Sequence, residues 1–302
     1  MRNAFAEALL NQMKEDKNTI LLTADLGWGS FDKIREKYPN QFFNIGLAEQ
    51  AMVGIAGGMA KMGKNVFVYS IIPFILYRAF EQIRNDVCYP DLPVRFVGTG
   101  AGLAYGDAGA THHPFEDLRI AGALSNTIVL SPSDPNEVRI LFQRMRGLKH
   151  PVYMRLGRSG EPAVHNKYNN IKIGKALKLS DGEDILMVST GVVTRAAFDA
   201  AKILNTSKAR VELLEIHTFK PFDEKTIIDA AEGKKLVVTV EDSTGALEER
   251  VAKSLVGKGA YRTLSFKLPD QFTHISAKRE QLLEHYGISE RNIIEQIGKV
   301  RL

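Results

Sequence analysis

One carboxylate, Glu49, lies at the start of an apolar segment rich in small residues, which the pattern predicts to be a helix. Globular proteins rarely bury a charged side chain unless it is paired or functional. A carboxyl group in apolar surroundings can hold a proton and share it with a partner. The segment from Asn44 to Gln50 therefore predicts an acid–base group.

A second candidate, His112, ends a glycine-rich loop and is followed directly by His113. Adjacent side chains point in different directions, so at most one of the two faces a given site. A histidine in such a loop can transfer a proton or bond a substrate oxygen. Two surface histidines are the alternative. We expect no metal site, because no other ligand pair has suitable spacing.

Two aromatic residues, Phe74 and Tyr77, follow a strand predicted from Val66 to Tyr69. Open α/β sheets place ligands in the loops at this end of a strand. The two rings can form an apolar wall against a flat heteroaromatic ring, or they can be ordinary core.

The run from Gly98 to Gly102 imitates a dinucleotide-binding fingerprint. That fingerprint requires a helix that opens directly at the glycines, whereas this chain continues as loop. We therefore expect a loop that folds over a site, and nicotinamide binding stays an alternative.

Strand-like and helix-like segments alternate along the chain, which predicts parallel sheets with helices on both faces. The polar, turn-rich stretch after Gly160 predicts a linker. We expect two three-layer α/β/α domains, at residues 1–163 and 175–302, joined by residues 164–174. Before one helix, Asp134 is the expected N-cap, Pro135 the first residue and Glu137 the end of a capping box.

The bulk composition is that of an ordinary globular protein, with 302 residues, 44% hydrophobic and 25% charged. The single Cys excludes an intrachain disulfide. The net charge of +5 is scattered, so we expect no nucleic-acid partner. The absence of a long apolar run or a signal-peptide pattern predicts a cytoplasmic protein with no membrane partner.

Three ordered segments resemble the transketolase family, and the resemblance covers nearly the whole chain. Residues 44–52 (NIGLAEQAM) resemble its catalytic-glutamate segment, residues 106–114 (GDAGATHHP) its active-site histidine loop, and residues 151–158 (PVYMRLGR) its domain-closing strand. The match is to the pyrimidine-binding domain followed by the transketolase C-terminal domain.

The resemblance implies thiamine diphosphate as the cofactor. Glu49 would bond its aminopyrimidine nitrogen and favour the tautomer that removes the thiazolium proton. Phe74 and Tyr77 would stack on the pyrimidine ring, although Ile71 stands where the family often has another aromatic residue. Asp25 falls in a segment that lies against the cofactor site.

The resemblance also implies substrate contacts. His112 aligns with the histidine that contacts the donor oxygen and shuttles a proton. Arg2 and Arg158 align with arginines that hold a sugar phosphate, a task suited to the planar guanidinium group.

Three departures from the family pattern change these expectations. Gly100 stands where the family has a histidine that binds the acceptor phosphate, and Ala108 stands where it has an aspartate that binds an acceptor hydroxyl. The magnesium–diphosphate domain is also missing. We therefore expect a separate chain to hold the diphosphate and Mg²⁺, with the cofactor at the interface of an α2β2 assembly.

The leading hypothesis is the second subunit of a split transketolase, a transferase that moves a two-carbon ketol group from a ketose to an aldehyde. The alternatives are a subunit similar to 1-deoxyxylulose-5-phosphate synthase or a 2-oxoacid dehydrogenase β-subunit, and a non-catalytic scaffold. The sequence leaves open the donor, the acceptor, the pathway, the partner's identity and whether the sugar substrate is phosphorylated or nucleotide-linked.

Overall fold

The computed structural model describes residues 1–206 and 209–301, which form two sheets flanked by helices. The strands are β1 (Thr19–Thr23), β2 (Phe42–Asn44), β3 (Asn65–Ile71), β4 (Arg95–Thr99), β5 (Ile128–Leu130), β6 (Val152–Leu156), β7 (Leu177–Ser180), β8 (Ile185–Ser189), β9 (Val211–Glu215), β10 (Thr218–Lys220), β11 (Leu236–Val240) and β12 (Arg262–Phe266). The α-helices are α1 (Arg2–Glu15), α2 (Asp32–Lys37), α3 (Glu49–Lys61), α4 (Phe80–Gln82), α5 (Asp117–Ala123), α6 (Pro135–Met145), α7 (Thr194–Leu204), α8 (Glu224–Ala231), α9 (Ala246–Leu255), α10 (Arg279–His285) and α11 (Glu290–Gly298).

The first sheet has the order β10-β5-β6-β4-β3-β1-β2 and the second the order β12-β11-β8-β9-β7. Each is parallel except for one antiparallel edge strand, β10 or β7. Strands β1, β4 and β6 are buried along their whole length, as expected for a parallel sheet covered on both faces. The predicted α/β fold is confirmed.

Three strands were not predicted: β2, β7 and β10. Strand β10 comes from the second half of the chain but pairs with β5, so it extends the first sheet. It has only three residues, too few for an alternating pattern to be recognised.

The segment after β3 does not form one continuous α-helix. Helical turns begin at Pro73 and include two π-helical stretches, Pro73–Tyr77 and Ile83–Cys88, on either side of α4. Such widened turns are frequent at functional sites.

Helix α6 starts as predicted at its cap, because the Asp134 carboxylate accepts bonds from the backbone N–H groups of Asn136 and Glu137 at 2.8 and 2.9 Å. The predicted capping box is wrong in its partner. The Glu137 carboxylate accepts from the backbone N–H of Ser133 at 2.7 Å instead of from the cap residue. Glu137 is thereby directed into the protein interior, where it is fully buried.

A buried ion-pair network joins the two halves of the chain. The Arg155 guanidinium donates to the carboxylates of Asp117 at 2.8 Å and Asp242 at 2.7 Å, and the Tyr153 hydroxyl also donates to Asp117 at 2.8 Å. Burial raises the pKa of Asp117, although Arg155 opposes the shift. Asp242 approaches Gly102 so closely that a Cβ there would lie 2.2 Å from the carboxylate. A larger residue at position 102 would therefore separate the two units.

Within the described ranges, no helix is both long and apolar enough to cross a membrane.

Candidate active site

Four of the residues predicted to be functional follow the carboxyl ends of neighbouring parallel strands. Asp25 follows β1, Phe74 follows β3, the loop with His112 follows β4, and Arg158 follows β6. Because these strands are parallel and adjacent, the four segments meet at one edge of the sheet. This is the edge at which open α/β sheets bind ligands, and we call it the strand edge.

Glu49 is the first residue of α3, and its side chain is fully buried. One carboxylate oxygen, Oε2, accepts a bond from Nη1 of Arg78 at 2.5 Å. The other, Oε1, is buried and has no hydrogen-bond partner among the described residues. The start of a helix stabilises a negative charge, which helps to hold the carboxylate here. Glu49 thus has one anchored oxygen and one oxygen left for a ligand.

Phe74 lies between the glutamate's partner and the histidine loop. The Arg78 guanidinium carbon lies 4.9 Å from the Phe74 ring centre, and the His112 ring meets the same ring edge-on at 5.2 Å. The structure therefore brings Glu49, Phe74 and His112 into one continuous set of contacts, with Arg78 as the link.

The two adjacent histidines differ in their surroundings, as expected from their alternating directions. His112 is half-buried, and its Nδ1 is 2.9 Å from the Thr111 hydroxyl. His113 is buried, stacks on Phe115 and has Nε2 3.1 Å from the Tyr105 carbonyl oxygen. Burial lowers the pKa of His113 and favours its neutral form. Of the two, His112 is the one that faces the Phe74 ring.

Arg2 and Arg158 are neighbours, because the backbone N–H of Arg2 donates to the Arg158 carbonyl at 3.0 Å. The Arg158 guanidinium carbon lies 5.3 Å from the Tyr105 ring centre, and that ring is 6.2 Å from the His112 ring. Arg158 is thus connected to His112 through the Tyr105 ring. The Arg2 side chain is directed toward the buried Tyr69 hydroxyl.

Asp25 has the left-handed backbone conformation, with φ of 53°, and is exposed. Its backbone N–H donates to the Asn44 side-chain oxygen at 2.8 Å, and the Asn44 amide donates back to the Asp25 carboxylate at 3.2 Å. This reciprocal pair joins the ends of β1 and β2. It leaves Asp25 beside, but not within, the contacts around Phe74.

Tyr77 turns toward a different element from Phe74. Its hydroxyl donates to the Glu116 carboxylate at 2.9 Å, close to the start of α5. Burial, together with the charges of Asp117 and Glu116, raises the pKa of Tyr77 well above its usual range. The ring is half-buried, and its hydroxyl is fixed away from Glu49.

The glycine run after β4 is followed by loop and two short 3-10 turns, and the next α-helix starts only at Asp117. The dinucleotide fingerprint therefore lacks its helix. At Gly100, with φ of 93°, a Cβ would lie 2.4 Å from the Tyr105 ring. The Tyr105 ring occupies the space that a side chain at position 100 would need.

Sequence reasoning missed Arg78 and Tyr105. Arg78 directly follows the first π-helical stretch, four residues after Phe74. The available signal was a cationic residue close to the predicted aromatic wall. Tyr105 lies inside a loop without periodicity, and no local pattern indicates its position.

A second set of buried acids lies between the two sheets, and we call Glu137, His165 and Glu215 the interdomain acid cluster. Nε2 of His165 lies 3.2 Å from a Glu137 oxygen and 3.4 Å from a Glu215 oxygen. Its Nδ1 accepts a bond from the backbone N–H of Lys167 at 3.0 Å. Nε2 therefore bears the proton and has no lone pair for a metal ion.

The strand edge has the groups needed to hold an aminopyrimidine ring. Glu49 Oε1 is a buried acceptor without a partner in the described chain, and Phe74 presents an aromatic ring in the same set of contacts. A carboxyl oxygen of this kind bonds a ring nitrogen, and an aromatic wall packs on a flat heterocycle.

Comparison with protein families identifies the chain. The family profile "Transketolase, pyrimidine binding domain" matches residues 1–162, and "Transketolase, C-terminal domain" matches residues 174–293. The chain belongs to the transketolase family.

Relatives of similar length carry related names. The "Putative transketolase C-terminal section" of Methanocaldococcus jannaschii is 36% identical over 98% of this chain and 95% of the relative. An apulose-4-phosphate transketolase subunit of Phocaeicola vulgatus is 30% identical over 97% of this chain and 94% of the relative. A longer relative, the "1-deoxy-D-xylulose-5-phosphate synthase" of Gloeobacter violaceus, is 32% identical; the match spans 98% of this chain but 47% of that protein.

Among solved structures, "Split gene transketolase, inactive beta4 tetramer" matches with a TM-score of 0.89 and 32% identity, over 99% of this chain and 97% of that chain. The transketolase from Leishmania mexicana, at 21% identity and a TM-score of 0.81, has the same fold over 98% of this chain and 44% of its own. The predicted resemblance to the second subunit of a split transketolase is confirmed.

Proposed function

We propose that this chain is the second subunit of a split, thiamine diphosphate-dependent transketolase, which moves a two-carbon ketol group from a ketose to an aldehyde. The observation that supports this most directly is the buried Glu49 carboxylate, with Oε2 anchored by Arg78 and Oε1 without a partner among the described residues. The bound cofactor would supply the nucleophilic carbon that a ketol transfer requires. Glu49 would hold the proton on the aminopyrimidine nitrogen, and Phe74 would orient the ring.

The other residues of the strand edge have proposed tasks that follow their positions. His112 would bond the donor oxygen and move a proton, because it is half-buried and directed at Phe74. Arg2 and Arg158 would hold an anionic substrate group. Asp25 and Tyr77 would line the cofactor site, Tyr77 with its ring only, since its hydroxyl is bound to Glu116.

We also propose that activity requires a second chain, which holds the diphosphate and Mg²⁺, in an α2β2 assembly. Exposed apolar side chains near Glu49 support a partner on this side: Leu47 is 75% exposed and Trp28 is 62% exposed. Large exposed apolar groups of this kind mark interaction surfaces. We keep the division at residues 1–163, 164–174 and 175–302 as part of the proposal.

The test is to co-express the chain with a candidate partner that carries a magnesium–diphosphate motif and to assay the purified complex. We expect turnover of hydroxypyruvate with an aldehyde acceptor, and no turnover by either chain without the other. Turnover by this chain without a partner would contradict the split assignment.

A second candidate, chemistry of the 1-deoxyxylulose-5-phosphate synthase type, is favoured by one observation, the 32% identity to such an enzyme. Replacing hydroxypyruvate with pyruvate as the donor separates the two candidates. Turnover of pyruvate alone would select the synthase chemistry and reject the transketolase proposal.

A further inference from the structure

One hydrogen bond joins the Tyr77 ring to the residue that caps the start of α5. The Tyr77 hydroxyl donates at 2.9 Å to Oε2 of Glu116, which lies 39 residues later in the chain. Burial, with the charges of Asp117 and Glu116, raises the pKa of Tyr77 well above its usual range, so the hydroxyl keeps its proton. Within the described ranges, no lysine or arginine forms an ion pair with the Glu116 carboxylate. Tyr77 is therefore the side chain to which this carboxylate is bound.

The backbone around Tyr77 is weakly held by its own hydrogen bonds. Tyr77 is the last residue of a π-helical stretch that begins at Pro73 and includes Phe74. The bond that closes this turn, from the Arg78 backbone N–H to the Pro73 carbonyl, is long, at 3.3 Å. Helical turns of this width are rare and occur mostly as single turns. A bond from outside the stretch would therefore fix the direction of both aromatic rings.

Glu116, by contrast, lies between two buried residues that are held against the second domain. The Phe115 carbonyl accepts a bond from the backbone N–H of Thr244 at 3.1 Å. On the other side, the Asp117 carboxylate accepts a bond from Arg155 at 2.8 Å, and this ion pair belongs to the buried network between the two domains. The Glu116 backbone is therefore fixed on both sides.

The bond thus joins a weakly held stretch to a firmly held one. A hydrogen bond to an ionised acceptor is about twice as strong as one between neutral groups. Both side chains are half-buried, so water screens the bond less than it would on the surface. The position of Glu116 is therefore imposed on Tyr77, and the second domain contributes to it without reaching the strand edge itself.

We propose that Glu116 is a positioning residue, which holds the Tyr77 ring, and with it the stretch that carries Phe74, against the aminopyrimidine ring of the cofactor. The inference rests on the proposed function. Glu116 would act through the Tyr77 hydroxyl and would not contact the reacting atoms. Its removal would therefore lower the affinity for the cofactor more than it lowers the rate of the chemical step.

The test titrates thiamine diphosphate, at fixed Mg²⁺, into complexes that contain variants of this chain. Glu116→Ala removes the acceptor, Tyr77→Phe removes the donor and keeps the ring, and Glu116→Gln keeps an acceptor oxygen. We expect the first two to raise the cofactor Kd about tenfold, as for one hydrogen bond to a charged group, with a smaller loss of kcat at saturation. Glu116→Gln should restore most of the affinity, and Glu81→Ala, at an exposed position, is the control.

A double-mutant cycle shows whether the two groups act through each other. We expect Tyr77→Phe/Glu116→Ala to bind the cofactor no more weakly than the weaker single variant. A loss equal to the product of the two single losses would overturn the proposal. So would an equal loss in Glu116→Gln and Glu116→Ala, because the charge and not the bond would then be the cause.

Hydrogen exchange in the full chain without a partner separates failure of this proposal from failure of the proposed function. We expect the backbone amides of residues 74–78 to exchange faster in Tyr77→Phe and Glu116→Ala than in the wild type, and Glu116→Gln to resemble the wild type. If no partner restores ketol transfer while this difference persists, the positioning of Tyr77 is supported and the proposed function fails. Unchanged exchange in both variants contradicts the positioning role whatever the activity, and thermal unfolding confirms that each variant is folded.

Discussion

The strand edge and the domain interface both contain buried acidic side chains, but the partners of these side chains differ. At the strand edge, Glu49 has one cationic partner, Arg78, whose side chain is 45% exposed, and one oxygen without a partner in the described chain. At the interface, His165 lies between Glu137 and Glu215, and every member is buried. Burial of a charge alone therefore does not identify a functional site. An unpaired buried oxygen does not identify one either, because both Glu215 oxygens also lack a hydrogen-bond partner in the described chain. The half-exposed cationic partner is what distinguishes Glu49.

The largest expected effect comes from removing the carboxyl group of Glu49 at the strand edge. We expect Glu49→Gln to lower kcat of the assembled enzyme by a factor of about 10² to 10⁴, the usual contribution of acid–base catalysis. The free energy of unfolding should fall little, because the amide keeps the shape of the carboxyl group. Glu36→Gln, an exposed position, is the matched control. Full activity in the Glu49→Gln variant would show that the strand edge is not the catalytic site.

At the domain interface, by contrast, a substitution should lower the free energy of unfolding of the protein. Arg155→Met leaves the carboxylates of Asp117 and Asp242 buried without their cation. Breaking a buried pair in this way costs about 3–5 kcal/mol. Urea denaturation should show this loss in the free energy of unfolding. An unchanged midpoint would mean that the network does not join the domains.

A smaller effect is expected for the anchor of the active carboxylate. Arg78→Met removes the donor to Glu49 Oε2 and should weaken cofactor binding about tenfold, since a hydrogen bond to a charged group contributes ~1.5–3 kcal/mol. Arg78→Lys should retain part of the affinity. Cofactor titration by fluorescence measures both variants, and equal affinity in all three proteins would show that Arg78 does not position Glu49.

The smallest expected effect concerns the interdomain acid cluster and depends on pH. Burial, and then the charge of Glu137, raises the pKa of Glu215 well above its usual range. The native state therefore binds this proton more tightly than the unfolded state, so its contribution to stability is complete at low pH and is lost as the pH rises through the native pKa.

Glu215→Gln mimics the protonated form and should remove this loss while leaving kcat unchanged. We expect the unfolding free energy of the variant to exceed that of the wild type increasingly as the pH rises above the ordinary glutamate pKa of about 4.3. Glu183→Gln, which is exposed, is the control. A difference that shrinks with rising pH would show that Glu215 is ionised in the native state.

The sequence predicted candidate catalytic residues where a short motif contains them, and their roles stay predictions. Glu49 and His112 lie in local patterns, and their strand edge follows from the alternation of strands and helices. Arg78 as the partner of Glu49, and the contact of the second domain with the end of the histidine loop, depend on distant segments meeting in space. No periodicity predicts such contacts. Glu137 shows the limit within a local motif, because its spacing predicted a cap but its carboxylate is drawn toward His165, 28 residues later.

The strand β10 has a consequence for how the gene can be divided. Although β10 follows a strand of the second sheet in the chain, it pairs antiparallel with β5 and becomes the edge strand of the first sheet. A coding sequence cut at the linker would yield an amino-terminal product with a bare row of β5 backbone groups, which readily pairs with other chains. The amino-terminal half is therefore expected to aggregate more readily without β10 than with it.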